Sequence, residues 1–208
     1  MTVRIGRTAV EISYPFAAML ALILLLDTKE IAAAGLLAAL LHEAGHFLWM
    51  RIRRTGMERI HFTLSGIRIQ TAAGTLSGYR EEAALALAGP LMNLFAALFF
   101  LFFPQTAFVK RLIFSNLALL GINILPIRAL DGGSALEAFL SMCMNRERAE
   151  KVTAAVSLFF LIPLVFLGFL FVFRSRYNFS LLILSLFLAY NILIDSKERR
   201  ILGKYVAM

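Results

Sequence analysis

Long apolar segments separated by short polar ones dominate the pattern along this chain of 208 residues. Six of them are predicted to be helical spans, at residues 13–26, 31–50, 83–103, 108–126, 152–173 and 179–194. Most come close to the ~20 residues that an α-helix needs to cross the hydrocarbon core of a bilayer. The polar residues 128–151, between the fourth and fifth spans, are predicted to form a loop. The pattern therefore predicts an α-helical membrane protein with six transmembrane helices.

Two other segments alternate apolar and polar residues, which is the period of a β-strand. One lies at the N-terminus, on either side of Gly6 and Arg7. The other covers residues 58–71, where the alternation continues on both sides of a Ser65-Gly66 pair that suits a tight turn. We therefore predict a short hairpin before the membrane and a small β-hairpin between the second and third spans. For residues 58–71, a plain interfacial loop is the alternative.

Hydrophobic residues make up 60% of the chain and the mean hydropathy is +0.80, whereas soluble domains are typically about 45–50% apolar. The composition therefore agrees with a membrane protein. The single cysteine, Cys143, excludes an internal disulfide. No internal repeat, linker or separate soluble segment is evident, so we predict a single integral membrane domain over residues 1–208, with its catalytic core at about residues 31–135.

Positive charge is distributed unevenly about the predicted spans. Sixteen lysines and arginines lie in segments on the same side as both termini, and five lie on the other side. Because cytoplasmic loops carry the excess of these residues, both termini are predicted to be cytoplasmic in a multi-pass protein of the cell membrane. Topology thus explains the net charge of +8, and this charge does not indicate a nucleic-acid partner.

The second span contains an H-E-x-x-H motif, from His42 to His46. Residues four apart lie one turn apart on the same side of an α-helix, so the two histidines can bind one metal ion. Glu43 points about 100° away, where it can take a proton from a metal-bound water as general base. Chance occurrence is the alternative, but ionisable residues at membrane depth are costly unless they are partnered or functional. The motif therefore predicts a metal site near the cytosolic end of this span.

A hydrolytic zinc site usually has three protein ligands and a water, so one more ligand is needed. Asp131 lies at the cytosolic end of the fourth span, at the depth of the histidines, and the two glycines after it allow a sharp backbone turn. It is the candidate third ligand, and an ordinary helix-terminal turn residue is the alternative. Asp27 and Asp195 are interpreted as span-boundary residues and His61 as a surface histidine.

Three motifs follow one another within residues 31–135: H-E-A-G-H in the second span, G-P-L-M-N at residues 89–93, and N-x-x-P followed by L-D-G-G at residues 123–133. In this order and spacing they resemble the site-2 protease family of intramembrane zinc metalloproteases. The resemblance implies that His42, His46 and Asp131 bind Zn²⁺ and that Glu43 is the general base of a metalloendopeptidase.

The resemblance also implies that Asn123 and Asn93 hold the substrate and that the β-structure after the first motif dips towards the active site. The expected substrate is a membrane protein with a transmembrane or membrane-tethered segment, and regulatory membrane proteins are the other partners expected in the bilayer. Within the family, the chain is most similar to the bacterial protease that processes a pro-sigma factor in sporulation. That protease typically carries a C-terminal CBS domain, which this chain is expected to lack.

Two other functions fit parts of the pattern. A membrane metal-ion transporter also uses buried histidines and aspartates, but its acidic residues and histidines would continue along a path through the spans. A catalytically inactive scaffold homologue would be expected to have lost a ligand or the base. The sequence retains all four residues and has no such path, so we favour the protease.

Overall fold

The structure is a computed structural model that describes residues 2–5, 8–12, 25–53, 57–63, 66–71, 78–175, 179 and 181–192. The chain divides into two compact units, Met1–Ile122 and Asn123–Met208. Most of the predicted first span, residues 13–26, lies outside the described residues, as does Asp195. The prediction of one catalytic domain over the whole chain stays a prediction.

Four strands of the first unit form one sheet in the order β1-β2-β3-β4. Strands β1 (Thr2–Ile5) and β2 (Thr8–Ile12) pair antiparallel, and so do β3 (Met57–Thr63) and β4 (Gly66–Thr71). These are the two segments in which the sequence alternates with a period of two. A parallel pairing of β2 with β3, with Val10 opposite Ile60, joins the two hairpins. The sequence did not predict this long-range pairing.

Three helices complete the described part of the first unit: α1 (Ile31–Ile52), α2 (Tyr79–Phe100) and α3 (Ala107–Asn123), the last of which ends at the unit boundary. Small side chains mark their contacts, which is how helices approach closely in membranes. Ala34 and Ala38 of α1 are completely buried and pack with Leu112 of α3. The core beside α1 therefore combines small side chains on α1 with larger ones on the neighbouring helices, which are Phe100, Phe108, Leu112 and Leu119.

The second unit contains α4 (Asp131–Cys143), α5 (Arg146–Ser175) and α6 (Leu181–Ile192). Its core joins α5 and α6 to the segment before α4, through Ile127, Leu161, Leu188 and Ile192. The prediction of a loop over residues 128–151 was wrong, because α4 and the first six residues of α5, 146–151, occupy most of it. The buried residues of α4 are small and only weakly hydrophobic, so the sequence shows no clear helical period of apolar residues there. These residues are Gly132, Gly133, Ala135, Ala138 and Ser141.

Three helices in the described part of the chain are long and apolar enough to cross a membrane: α1, α2 and residues 146–174 of α5. Large apolar side chains are exposed on them, as shown by Phe159, Phe166 and Phe173, which recur every seven residues along α5 and are 71%, 63% and 81% exposed. Such a stripe of exposed aromatic residues suits contact with lipid rather than water. The prediction of a mainly helical protein with membrane helices is confirmed in this form.

Candidate metal centre

The two motif histidines lie on the buried side of α1. Ala34, Ala38 and His42 follow one another at intervals of four residues and are all buried, so His42 continues the stripe that packs against the neighbouring helices. His46 lies one turn later and is half-buried. The i,i+4 spacing therefore places both imidazoles on one side of the helix, as the motif predicts.

The Nε2 atoms of His42 and His46 lie 3.3 Å apart, with the rings nearly perpendicular. Two nitrogens that each bind one zinc ion at about 2.0–2.1 Å, at a tetrahedral angle, must be separated by about 3.3–3.4 Å. The observed separation therefore fits two ligands of one tetrahedral ion. A direct hydrogen bond between the rings gives a similar distance, so the hydrogen bonds on the far side of each ring matter.

Each ring has a polar neighbour at its other nitrogen. The Nδ1–H of His46 donates to the carbonyl oxygen of Leu85 on α2, at 2.9 Å. The Nδ1 of His42 lies 3.3 Å from Nδ2 of Asn93, two turns further along α2. In metal sites, an acceptor for the second ring N–H orients the imidazole and selects its tautomer, and the Leu85 carbonyl is such an acceptor for His46. Helix α2 thus supplies the outer contacts of both histidines.

Gly89 of α2 provides the space in which the two histidines meet. A Cβ added there would lie 2.3 Å from Nε2 of His46 and 2.6 Å from Nε2 of His42. A similar constraint holds at Gly45 within the motif, where a Cβ would lie 2.4 Å from the carbonyl oxygen of Ala88. The close approach of α1 and α2, and the open space beside the imidazoles, therefore depend on two glycines.

Glu43 follows His42 directly on α1, and its side chain is partly buried. It belongs to the same helical turn as a predicted ligand but points to a different side of the helix. Its predicted role as general base stays a prediction at this stage.

Asp131 is the first residue of α4 in the second unit and is partly buried. A Cβ on Gly132 would lie 2.3 Å from the carbonyl oxygen of Ile124, and one on Gly133 would lie 2.2 Å from that of Ile127. The two glycines therefore let the first turn of α4 rest directly on the backbone of the preceding segment. This contact determines where the chain places the Asp131 carboxylate within its unit.

The side chain of Ser157 on α5 also holds the segment that precedes Asp131. The backbone N–H of Arg128 donates to Oγ of Ser157 on α5 at 2.9 Å, and this hydroxyl donates to the carbonyl oxygen of Thr153 at 2.7 Å. Arg128 itself is paired with Glu137 and Glu150, at 3.5 and 3.8 Å. The polar segment before Asp131 is thus anchored by charge and hydrogen bonds inside its own unit.

By residue type, His42, His46 and Asp131 are a set that could hold a metal ion. Two imidazole nitrogens and a carboxylate oxygen are the donors that zinc takes in hydrolytic sites. The donor types and the histidine geometry therefore fit a divalent metal, and the prediction of a metal cofactor is confirmed to that extent.

The two asparagines predicted to contact substrate differ in their surroundings. Asn93 is completely buried against His42, whereas Asn123 is the last residue of α3 and is partly buried. Their role in substrate binding stays a prediction. Sequence reasoning did not identify Gly89 or the Leu85 carbonyl as parts of the site. The available signal was a glycine in the interior of an apolar helix. Glycine destabilises a helix by about 1 kcal/mol relative to alanine, so its presence there suggests a packing requirement.

Comparison with known proteins relates part of the chain to a peptidase family. Residues 105–167, which include Asn123 and Asp131, match the model of peptidase family M50. The chain is 25% identical over 169 residues to stage IV sporulation protein FB of Bacillus subtilis (strain 168), a match that covers 79% of this chain and 58% of that protein. The chain therefore spans a little over half of that relative's length.

The fold is similar to that of the site-2 protease from Methanocaldococcus jannaschii, with a TM-score of 0.66, 21% identity and 94% coverage of each chain. The matched M50 segment does not include the H-E-x-x-H motif, which the histidine geometry supports independently. The resemblance predicted from the sequence is confirmed to this extent: residues 105–167 match peptidase family M50, and the fold is similar to that of a site-2 protease.

Proposed function

We propose that the chain is an intramembrane zinc-dependent endopeptidase that cleaves a membrane-spanning or membrane-tethered protein near the cytosolic face. The observation that carries the proposal is the 3.3 Å separation of the His42 and His46 Nε2 atoms, with Glu43 on the same helical turn. A structural pair of histidines would not require a carboxylate beside it in an apolar helix.

His42, His46 and Asp131 would hold the zinc ion. When bound, zinc supplies Lewis-acid chemistry, lowering the pKa of a coordinated water and polarising the scissile carbonyl. Glu43 accepts the proton of the attacking water and delivers it to the leaving amine. The hydrogen bond from His46 to the Leu85 carbonyl holds the ring in the tautomer whose Nε2 offers a lone pair.

The substrate must present an extended backbone, because a helix hides its carbonyls in hydrogen bonds. Strand β3 is paired on both sides, so β4 is the member of the predicted hairpin that lies at the edge of the four-stranded sheet. An unwound substrate segment can pair with this edge, which replaces the hydrogen bonds that unwinding removes. Asn123 and Asn93 are the predicted polar contacts for the substrate.

The proposed setting is a bacterial cell membrane, with six spans and both termini in the cytoplasm. The excess of lysine and arginine on that side supports this topology. In this topology the C-terminal end of α1 lies near the cytosolic face, so water from the cytosol can reach the proposed metal site. The similarity to a stage IV sporulation protein favours a membrane-tethered substrate of the pro-sigma type, and regulatory membrane proteins are further proposed partners.

The test compares zinc content and cleavage of a membrane-tethered substrate in four purified proteins. Glu43→Gln should bind zinc as the unmodified protein does but should not cleave, because it removes a proton acceptor and leaves the ligands. His46→Ala should lose both properties. Asp131→Asn should lose both in part, since an amide oxygen is a weaker ligand than a carboxylate.

The outcomes separate the rival functions. Cleavage by Glu43→Gln would contradict its role as base, and full zinc content in His46→Ala would contradict the histidine site. Normal zinc affinity and cleavage in Asp131→Asn would mean that Asp131 is a turn residue, for which asparagine is a mild replacement. Metal transport into vesicles without proteolysis would favour a transporter, and neither activity would favour a scaffold.

A further inference from the structure

Helix α4 packs through side chains that are too small to fix its rotation about its own axis. Its buried side consists of glycine, alanine and serine, whereas the larger Phe139 and Met142 are exposed. The free energy of apolar burial is roughly proportional to the area buried, so these small residues favour one rotation of the helix only weakly. Asp131, the proposed metal ligand, is nevertheless the first residue of this helix.

The rotation of α4 determines where the Asp131 carboxylate lies. A side chain on an α-helix extends to about 5–6 Å from the axis, so a rotation of about 20° moves its end by about 2 Å. Metal–ligand distances vary by only about 0.2 Å in well-formed sites. A rotation that changes apolar burial very little is therefore large enough to remove a ligand from its ion. A more directional contact is needed to orient the helix.

The side chain of Arg128 supplies such a contact. Its Nε lies 3.5 Å from Oε2 of Glu137 on α4, and the two side chains are only 9% and 12% exposed. Its Nη2 lies 3.8 Å from Oε2 of Glu150 on α5. Water and salt screen a largely buried ion pair only weakly, and separating its charges is strongly unfavourable. The ion pair with Glu137 therefore resists rotation of α4 more than the apolar contacts of this helix do.

This ion pair also constrains the chain on both sides of Asp131. Arg128 precedes Asp131 and Glu137 follows it, so the pair closes a short loop that contains the proposed ligand. The backbone of Arg128 is itself fixed, because its N–H donates to Oγ of Ser157 on α5 at 2.9 Å. The adjacent Ile127 is completely buried in the core formed with α5 and α6. Arg128 is thus a fixed point against which α4 is oriented.

We propose that Arg128 and Glu137 are positioning residues, whose ion pair fixes the rotation of α4 and thereby directs the Asp131 carboxylate to the metal ion. The inference rests on the proposed function, in which Asp131 is a ligand. A positioning pair differs measurably from one that only stabilises the fold. Apolar residues of similar size can often replace a buried ion pair without loss of stability, but they do not impose its direction.

The test compares thermal unfolding with zinc affinity, measured by chelator competition, in the full-length protein. The double variant Arg128→Met, Glu137→Leu removes both charges at similar size, and Glu150 keeps its ion pair with Arg146 at 3.7 Å. This variant should unfold at the temperature of the parent protein or above, yet bind zinc about 10- to 100-fold more weakly. Glu147→Gln is the control, because it removes an exposed ion pair with Lys151 on α5 and should retain the zinc affinity.

Binding of Co²⁺ in place of zinc gives a readout that a purely stabilising role would not change. The visible absorption of bound Co²⁺ depends on the number and geometry of its ligands. The double variant should give a spectrum like that of Asp131→Ala, which lacks the carboxylate, rather than that of the parent protein. Either a parent-like Co²⁺ spectrum or a parent-like zinc affinity in the double variant would refute the positioning role.

The outcomes also separate this inference from the proposed metal site. Absence of zinc binding in the parent protein, or parent-like binding in Asp131→Ala, would refute the ligand set and the inference with it. If Asp131→Ala loses affinity and the double variant does not, only the positioning role is refuted. If the double variant does not fold, Glu137→Leu carries the test, because Arg128 then keeps Glu150 as a counter-ion. Parent-like zinc affinity in Glu137→Leu, or its failure to fold, would overturn the inference.

Discussion

At the scale of single residues, the candidate site depends on a glycine that leaves space as well as on the two histidines that occupy it. Gly89 lies where any Cβ would contact both histidine Nε2 atoms. Alanine is normally the better helix residue by about 1 kcal/mol. At this position, however, the added methyl group would occupy the space where the two ring nitrogens converge. Helix propensity and the metal site therefore make opposite demands on residue 89.

Gly89→Ala should consequently abolish zinc binding although it changes no ligand, because one or both imidazoles must rotate away from the methyl group. Zinc content and chelator competition on the purified variant measure the effect. Gly121→Ala is the control, since a Cβ at Gly121 would meet no atom within 4 Å. It should retain zinc and be neutral or slightly more stable. Full zinc occupancy in Gly89→Ala would show that the observed ring positions are not those of the loaded site.

At the scale of elements, α1 is held at both ends within the first unit. The carboxylate of Asp27 accepts the backbone N–H groups of Ile31 and Ala33, at 2.9 and 2.8 Å. Glu30 pairs with Arg111 of α3 at 3.2 Å, and at the other end Arg53 pairs with Glu81 of α2. The sequence interpretation of Asp27 as a span-boundary residue was therefore incomplete, because it also caps the helix that carries the histidines.

The Asp27 cap makes a pH-dependent contribution to stability. Hydrogen bonds from the N–H of Ala33 and then of Ala32 and Ile31, opposed by partial desolvation, lower the pKa of the Asp27 carboxyl from its usual 3.8. Because the pKa is lower in the folded state, this stabilisation is complete well above pH 3.8 and is lost as the pH falls through the folded-state pKa.

Asp27→Asn should therefore unfold at a lower temperature than the parent protein at pH 7, because a neutral amide is a weaker acceptor at a helix N-terminus. The difference should shrink as the pH is lowered below 3.8. Thermal unfolding in detergent at several pH values measures it, with Lys29→Gln in the same exposed segment as the control. A difference that does not depend on pH would mean that the cap acts by shape rather than by charge.

At the scale of the whole molecule, the distribution of charge and of exposed apolar side chains determines the proposed relation to the bilayer. The long exposed apolar faces of α1, α2 and α5 suit lipid, and the uneven distribution of positive residues gives the proposed orientation. The lone cysteine offers a direct test. Cys143 is exposed at the end of α4, in a segment predicted to be cytosolic.

A membrane-impermeant maleimide should label Cys143 in inverted vesicles and leave it unlabelled in intact cells. The double variant Cys143→Ser, Lys29→Cys should give the opposite result, because residue 29 belongs to the segment predicted to lie outside. Labelling of Cys143 from outside intact cells would reverse the proposed orientation. It would also place the cytosolic cleavage site on the wrong face of the membrane.

The sequence by itself determined the features that depend on local spacing. Residues four apart lie about one helical turn apart, so His42 and His46 had to share one side of any helix they formed, and the apolar length of the segment predicted that helix. Period-two alternation similarly located both hairpins. Asp131 came from the resemblance in motif order rather than from any local rule, and its part in the metal site remains a proposal.

Only the tertiary structure decided which groups meet across long separations in the chain. The parallel pairing of β2 with β3 and the contacts of Asn93 with His42, 51 residues apart, depend on backbone paths that no local period encodes. Helix α4 was not predicted from the sequence for a related reason, because glycine, alanine and serine form its buried side. Such residues are selected for close approach rather than for hydrophobicity, so their role becomes visible only when the neighbouring backbone is in place.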